Sequence, residues 1–264
     1  MQPIRTFFNS IKDANESCFV PILRRYFSCT SVSQARHFQR TMSGSRDVII
    51  EAKDGKHSAT IIFMHGLGDT GHGWADTLRQ IKPDYVKLIC PTAPVAPVSL
   101  NMGMPMPSWF DLFSLESDGL EDGDGVKKSS ETIVSLIEKE KSSHNIPANR
   151  ILLGGFSQGG ALALHTGVRY TEKLAGIIAF SCWLPLHKEY PGAFNEKCKD
   201  LAVLQCHGEV DPLVMYDWGV RTSNLLKNFL TDHEFKSYPN MGHSSCDEEL
   251  KDAQKFILRV LPEK

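Results

Sequence analysis

The chain lacks any uninterrupted apolar run approaching the roughly 18 residues that a membrane-spanning helix needs, so no transmembrane segment is expected. It also lacks a charge excess. A net charge of −2 over 264 residues gives no case for nucleic-acid binding, which usually shows a basic domain. It has no CxxC pair: Cys18, Cys29, Cys90, Cys182, Cys198, Cys206 and Cys246 are odd in number and irregular in spacing. That pattern argues against a disulfide framework or a zinc site and for reduced thiols in a reducing compartment. Cys90 and Cys206 sit in apolar runs and read as small buried hydrophobes. No internal repeat is present. Hydrophobic residues at 41% and charged residues at 23% are ordinary for a globular protein.

The charge that is there is unevenly placed. Residues 1–41 carry Arg5, Lys12, Arg24, Arg25, Arg36 and Arg40 against Asp13 and Glu16, a balance of +4 that leaves −6 for the remainder. This Arg-, Ser- and Phe-rich segment resembles a mitochondrial transit peptide, with Arg25-Tyr26-Phe27-Ser28 resembling a cleavage site. The other reading is a disordered extension or a start upstream of Met42. Either way residues 1–46 are excluded from the fold, and residues 47–264 are read as a single domain.

From Asp47 onward, short apolar runs alternate with amphipathic stretches. Strands are expected at Val48–Ala52, Thr60–Met64, Val86–Cys90, Ile151–Phe156, Leu174–Ser181, Leu201–His207 and Glu234–Tyr238. Several are continuous and β-branched, as in a parallel sheet buried on both faces. Val126, Ser130, Ile133 and Ile137 mark one helix, and Leu225, Leu226, Phe229 and Leu230 a second. Leu250, Ala253, Ile257 and Val260 mark a third, with Ser245 and Glu248 placed for a capping box. The alternation predicts an α/β fold: a doubly wound, mostly parallel sheet with helices on both faces. The stretch Pro91 to Asp124 is irregular, rich in proline and acidic at its end. A loop that long in a compact domain is usually functional or disordered.

One motif carries chemistry. After the run Ile151-Leu152-Leu153 comes Gly155-Phe156-Ser157-Gln158-Gly159, and then a helical stretch. A Gly-x-Ser-x-Gly turn between strand and helix exposes its serine above the sheet. The glycines leave room where a Cβ would collide, and are expected to supply positive φ. The following helix aims its N-terminal N–H groups at the same point.

A serine hydroxyl needs a general base, and the base an orienting acid. On such folds the chain order is serine, acid, histidine. His243 follows the last strand, in the loop Asn240-Met241-Gly242-His243, whereas His233 lies at the wrong end of that strand. The acid belongs after the preceding strand, where Glu209 and Asp211 both qualify. Asp211 is favoured because Pro212 holds it extended. The oxyanion donors are expected to be the backbone N–H of Gln158 and that of Leu67, in the loop His65-Gly66-Leu67-Gly68. Gly66, Gly68 and Gly71 also spell a dinucleotide fingerprint. That fingerprint wants an acid after the next strand, and Cys90-Pro91-Thr92 offers none, so the glycines go to the oxyanion loop. His65 reads as a fixture of that loop.

The chain then resembles a known family. HGLGDTGHGW, APVxPVxLN, MPSWFDL, GGFSQGGAL, SCWLPL, LQCHGxxDPLV and MGHSSC occur in order between about residues 59 and 262. Together they are similar to the acyl-protein thioesterases (lysophospholipase I-like) of the α/β-hydrolase superfamily. The resemblance implies a cytoplasmic serine hydrolase without metal or cofactor, acting on S-palmitoylated proteins, with lysophospholipids and small esters as alternative substrates. By motif, Ser157, Asp211 and His243 are the triad and Leu67 and Gln158 the oxyanion donors. Trp109 and Phe110 resemble one side of an acyl-chain channel, and Trp183 and Leu184 the other. Peripheral membrane contact and a homodimer are both compatible with the resemblance. The departure is the 46-residue extension, which leaves a mitochondrial location as the alternative.

Overall fold

The computed structural model describes residues 47–114 and 119–264; the readings made for residues 1–46, and Cys18 and Cys29 with them, lie outside these. Seven strands form the main sheet in the order β1-β3-β2-β6-β7-β8-β9. They are β1 (Val48–Ile50), β2 (Ala59–Met64), β3 (Val86–Cys90), β6 (Ile151–Phe156), β7 (Gly176–Phe180), β8 (Val203–Gly208) and β9 (His233–Tyr238). β1 pairs antiparallel with β3, and every other neighbour in this sheet is parallel.

The run of apolar residues along each central strand follows from burial on two sides. Ile62, Met64, Leu153, Ile177, Ala179 and Val203 face one core, whereas Ile61, Phe63, Leu152, Ile178, Phe180 and Leu204 face the other. This is the two-residue period of a strand, with both faces covered. The first core is closed by α2 (Gly123–His144), α3 (Gln158–Gly167) and α4 (Tyr216–Leu226). The second is closed by α1 (His72–Ile81) and α5 (Asp247–Val260). The doubly wound α/β architecture read from the sequence is therefore the observed one.

Three local readings change. The helix placed through Phe229 and Leu230 ends at Leu226. The capping box at Ser245 does not form: Cys246 is the N-cap, without a side-chain cap bond, and Asp247, Glu248 and Glu249 occupy the first turn. The Pro-rich stretch holds a two-stranded antiparallel ribbon, β4 (Val95–Val98) and β5 (Met104–Pro107). The acidic end of that stretch is tied down as well. Asp122 caps α2 by accepting from Gly125 N at 2.9 Å, and Glu121 accepts from Leu186 N at 3.0 Å.

At the amino ends of β2 and β3, Lys87 Nζ lies 2.7 Å from Glu140 Oε1, and both side chains are buried. Thr60 Oγ1 donates to Glu140 Oε2 at 2.8 Å. The opposite, carboxyl ends of the strands carry the loops that hold Leu67, Ser157, Asp211 and His243.

Candidate active site

Ser157 lies between β6 and α3, the central strand and the helix that packs on it. Its backbone has φ 53 and ψ −121, a region that costs an ordinary residue about 1–3 kcal/mol. The strain is on the serine itself; neither Gly155 nor Gly159 adopts positive φ. Those glycines serve close approach instead. A Cβ on Gly155 would stand 2.2 Å from Gly159 C, and one on Gly159 would stand 2.2 Å from Met64 O. The turn can tighten only because both are absent.

His243 and Asp211 meet: His243 Nδ1 is 2.8 Å from Asp211 Oδ2. The other carboxylate oxygen, Oδ1, accepts from Leu213 N at 2.9 Å and Val214 N at 3.0 Å. Asp211 is buried, whereas Glu209 points to solvent, so Asp211 is the acid paired with His243. His233 is elsewhere, at the amino end of β9, facing Gln205 Oε1 at 3.2 Å. The His243 ring packs on Phe156, the residue before Ser157, with centroids 4.6 Å apart. Among the described residues no hydrogen bond joins Ser157 Oγ to His243, a gap that is common before substrate is bound.

Among the described residues neither Leu67 N nor Gln158 N gives its hydrogen to an acceptor. Gly68, at φ 78, gives its own N–H to Pro107 O at 2.8 Å and so anchors the loop to β5. His65 fixes the loop from within. Its Nε2 accepts from Ala93 N at 3.0 Å, so the proton is on Nδ1, which donates to Gly66 O at 2.6 Å. Burial lowers its basicity, in keeping with a neutral ring.

The Gln158 side chain has a task that the motif did not reveal. It is wholly buried, accepts from Trp109 N at 2.9 Å and donates to Phe110 O at 2.6 Å. It thereby clamps the Ser108–Phe110 segment to the elbow. Trp109 is buried too, with Nε1 donating to His65 O at 2.9 Å. Phe110, Leu112, Trp183, Leu184, Trp218 and Leu225 give a pocket its apolar lining, which it shares with Asp111, Glu121, Asp122, His187, Arg221 and Thr222; Trp109, Ser157 and His243 are not among its lining residues. Trp109 thus supports Phe110 rather than forming wall. Trp183 meets Phe110 edge-on at 6.3 Å and Trp218 edge-on at 6.1 Å. Trp218 and Leu225 were missed from the sequence; their seven-residue spacing on one helix face was the available signal.

Cys90, Cys182, Cys198, Cys206 and Cys246 are free thiols, all but Cys246 buried. No cluster of His, Cys, Asp or Glu among the described residues could hold a metal ion. No helix among them is long and apolar enough to cross a membrane.

A serine on a strained strand–helix turn, with a paired histidine and aspartate at the carboxyl ends of a parallel sheet, defines a serine hydrolase of the α/β type. Residues 45–261 match the model of the phospholipase/carboxylesterase family, and the chain belongs to that family. It is 42% identical over 238 residues to acyl-protein thioesterase 1 of Mycosarcoma maydis, covering 84% of this chain and 99% of that one. It is 44% identical over 220 residues to acyl-protein thioesterase 1 of Gibberella zeae, covering 79% and 93%. The crystal structure of Zea mays acyl-protein thioesterase 2 superposes with a TM-score of 0.74 at 32% identity, covering 82% of this chain and 99% of that one. The likeness read from the motifs to acyl-protein thioesterases is borne out.

Proposed function

We propose that the protein hydrolyses thioesters between long acyl chains and cysteines of S-acylated proteins, through a covalent acyl-Ser157 intermediate. The observation that carries this reading is the His243–Asp211 pair at 2.8 Å beside a serine held at φ 53. In this mechanism His243 Nε2 takes the Ser157 proton as Oγ attacks the thioester carbonyl. Asp211, acceptor of two backbone N–H groups and of His243 Nδ1–H, stabilises the imidazolium. The oxyanion is held by the N–H groups of Leu67 and Gln158. The cysteine sulfur leaves with the proton carried by His243. Water, deprotonated by His243, then attacks the acyl carbon and releases the fatty acid and Ser157.

The aromatic pocket supports an acyl substrate, since each CH₂ taken from water contributes about 0.8 kcal/mol. Free thiols throughout the described residues favour a reducing compartment, the cytoplasm in this reading, and residues 47–264 act as one catalytic domain. Substitution of Ser157 by Ala abolishes hydrolysis and fluorophosphonate labelling with the fold intact. Comparing kcat/KM on a palmitoylated cysteine peptide and on lysophosphatidylcholine decides the substrate class. A strong preference for the lysolipid would overturn the thioesterase reading and favour a lysophospholipase.

A further inference from the structure

Asp211 lies between two histidines, and one has no part in the reaction described so far. β8 ends Cys206-His207-Gly208, and Asp211 follows four residues after His207. The His207 side chain is wholly buried. Its Nε2 lies 2.7 Å from Val214 O and 3.6 Å from Asp211 Oδ2. Both of those atoms are acceptors, so the proton must be on Nε2. Nδ1 is buried without a partner.

Turned over, the ring would present Cε1 rather than Nε2 to Val214 O and lose that bond. The backbone of Gly219 in α4 lies against the ring: a Cβ there would stand 2.5 Å from Nδ1. Tyr216 packs edge-on at 6.0 Å. Burial lowers the basicity of His207, which favours the neutral ring. A neutral ring suits the place, because a cation there would compete with His243 for Oδ2.

The turn itself is closed through one residue. Val214 gives its N–H to Asp211 Oδ1 at 3.0 Å, and its carbonyl accepts from His207 Nε2–H. Asp211 therefore has one oxygen held by the turn, and the turn is held by His207. The remaining oxygen points to His243.

We infer that His207 is a positioning residue for the hydrolysis: its Nε2–H locks the 208–214 turn so that Asp211 presents Oδ2 to His243. The inference rests on the Ser157–Asp211–His243 reading.

The test is a double-mutant cycle on the full chain with p-nitrophenyl octanoate as substrate. His207→Phe lowers kcat about 10- to 100-fold with KM changed less than about twofold, the scale of losing a partner that orients a functional side chain. His207→Gln, whose amide reaches Val214 O, keeps kcat within about threefold of the parent. His207→Asn, one bond shorter, behaves like His207→Phe and serves should the Phe variant not fold. In an Asp211→Asn background the loss variant lowers kcat less than about threefold further, because coupled residues are not additive. A mere packing role would give additive losses and no rescue by Gln. Unchanged kcat in both loss variants, or full additivity with Asp211→Asn, overturns the inference. Full activity in Asp211→Asn alone would instead overturn the triad reading beneath it.

Discussion

Replacing Glu249 with Gln should stabilise the protein at neutral pH and change little at pH 5. Glu249 is in the first turn of α5, wholly buried, and neither carboxylate oxygen has a hydrogen-bond partner. A helix N-terminus favours a negative charge by about 0.3–1 kcal/mol. Taking a carboxylate out of water costs several kcal/mol, so desolvation wins. Burial accordingly raises this carboxyl from its ordinary 4.5 to about 8. The folded protein then holds a proton that the unfolded chain has lost. Its contribution to stability is full below about 4.5 and falls as the pH rises to about 8. At pH 7 the penalty is about 3 kcal/mol, and at pH 5 it is below about 1 kcal/mol. Gln is neutral throughout and nearly the same shape, so it removes the penalty. With about 2–4 °C per kcal/mol for a domain of this size, Tm rises by about 6–12 °C at pH 7 and by less than about 4 °C at pH 5. Thermal unfolding followed by circular dichroism across pH 5 to 8 measures it. An equal gain at both ends of that range, or a loss at pH 7, would refute the reasoning.

Three further outcomes are expected. Gln158→Leu keeps the backbone N–H of the proposed oxyanion site but orphans Trp109 N, whereas Phe110 O keeps its bond from Ser108 Oγ. At about 1–3 kcal/mol for a buried unpaired group, Tm falls by several degrees, read by differential scanning fluorimetry. Trp183→Ala removes the ring between Phe110 and Trp218. It lowers kcat/KM for hexadecanoyl esters about tenfold, the worth of roughly two CH₂ groups, while acetyl esters turn over unchanged. Glu140→Gln removes the anionic partner of buried Lys87. It destabilises by about 3–5 kcal/mol in urea denaturation, with kcat per titrated active site unaltered.

The fold was legible where one physical signal dominated. Short apolar runs, several of them continuous and β-branched, announced β2, β3, β6, β7 and β8, because strands buried on both faces are mostly apolar. β4 and β5 were not legible. Pro97, Pro105 and Pro107 lack N–H groups and argue against a strand, yet a two-stranded ribbon has an outer side on which a missing donor costs nothing. Chain order singled out Asp211 and His243, and the structure pairs them. The conformational strain was assigned to the wrong residues: steric room and backbone strain separate here, the glycines giving the first and Ser157 carrying the second. The side-chain tasks of Gln158 and His207 leave no trace in spacing. Each depends on which carbonyl the fold brings within 3 Å, from a distant loop for Gln158 and from the adjoining turn for His207.

Sheet order has a consequence for how the enzyme would fail. Ser157 follows β6, which has neighbours on both sides, whereas His243 follows β9, paired with β8 alone at the margin of the sheet. β9 is also only partly buried along most of its length. Local opening is least costly at such a margin. Fraying there would carry the proposed base away while the serine stayed seated. With His243 as the proposed base, the protein could thus be disarmed by one outer strand while its core stayed folded.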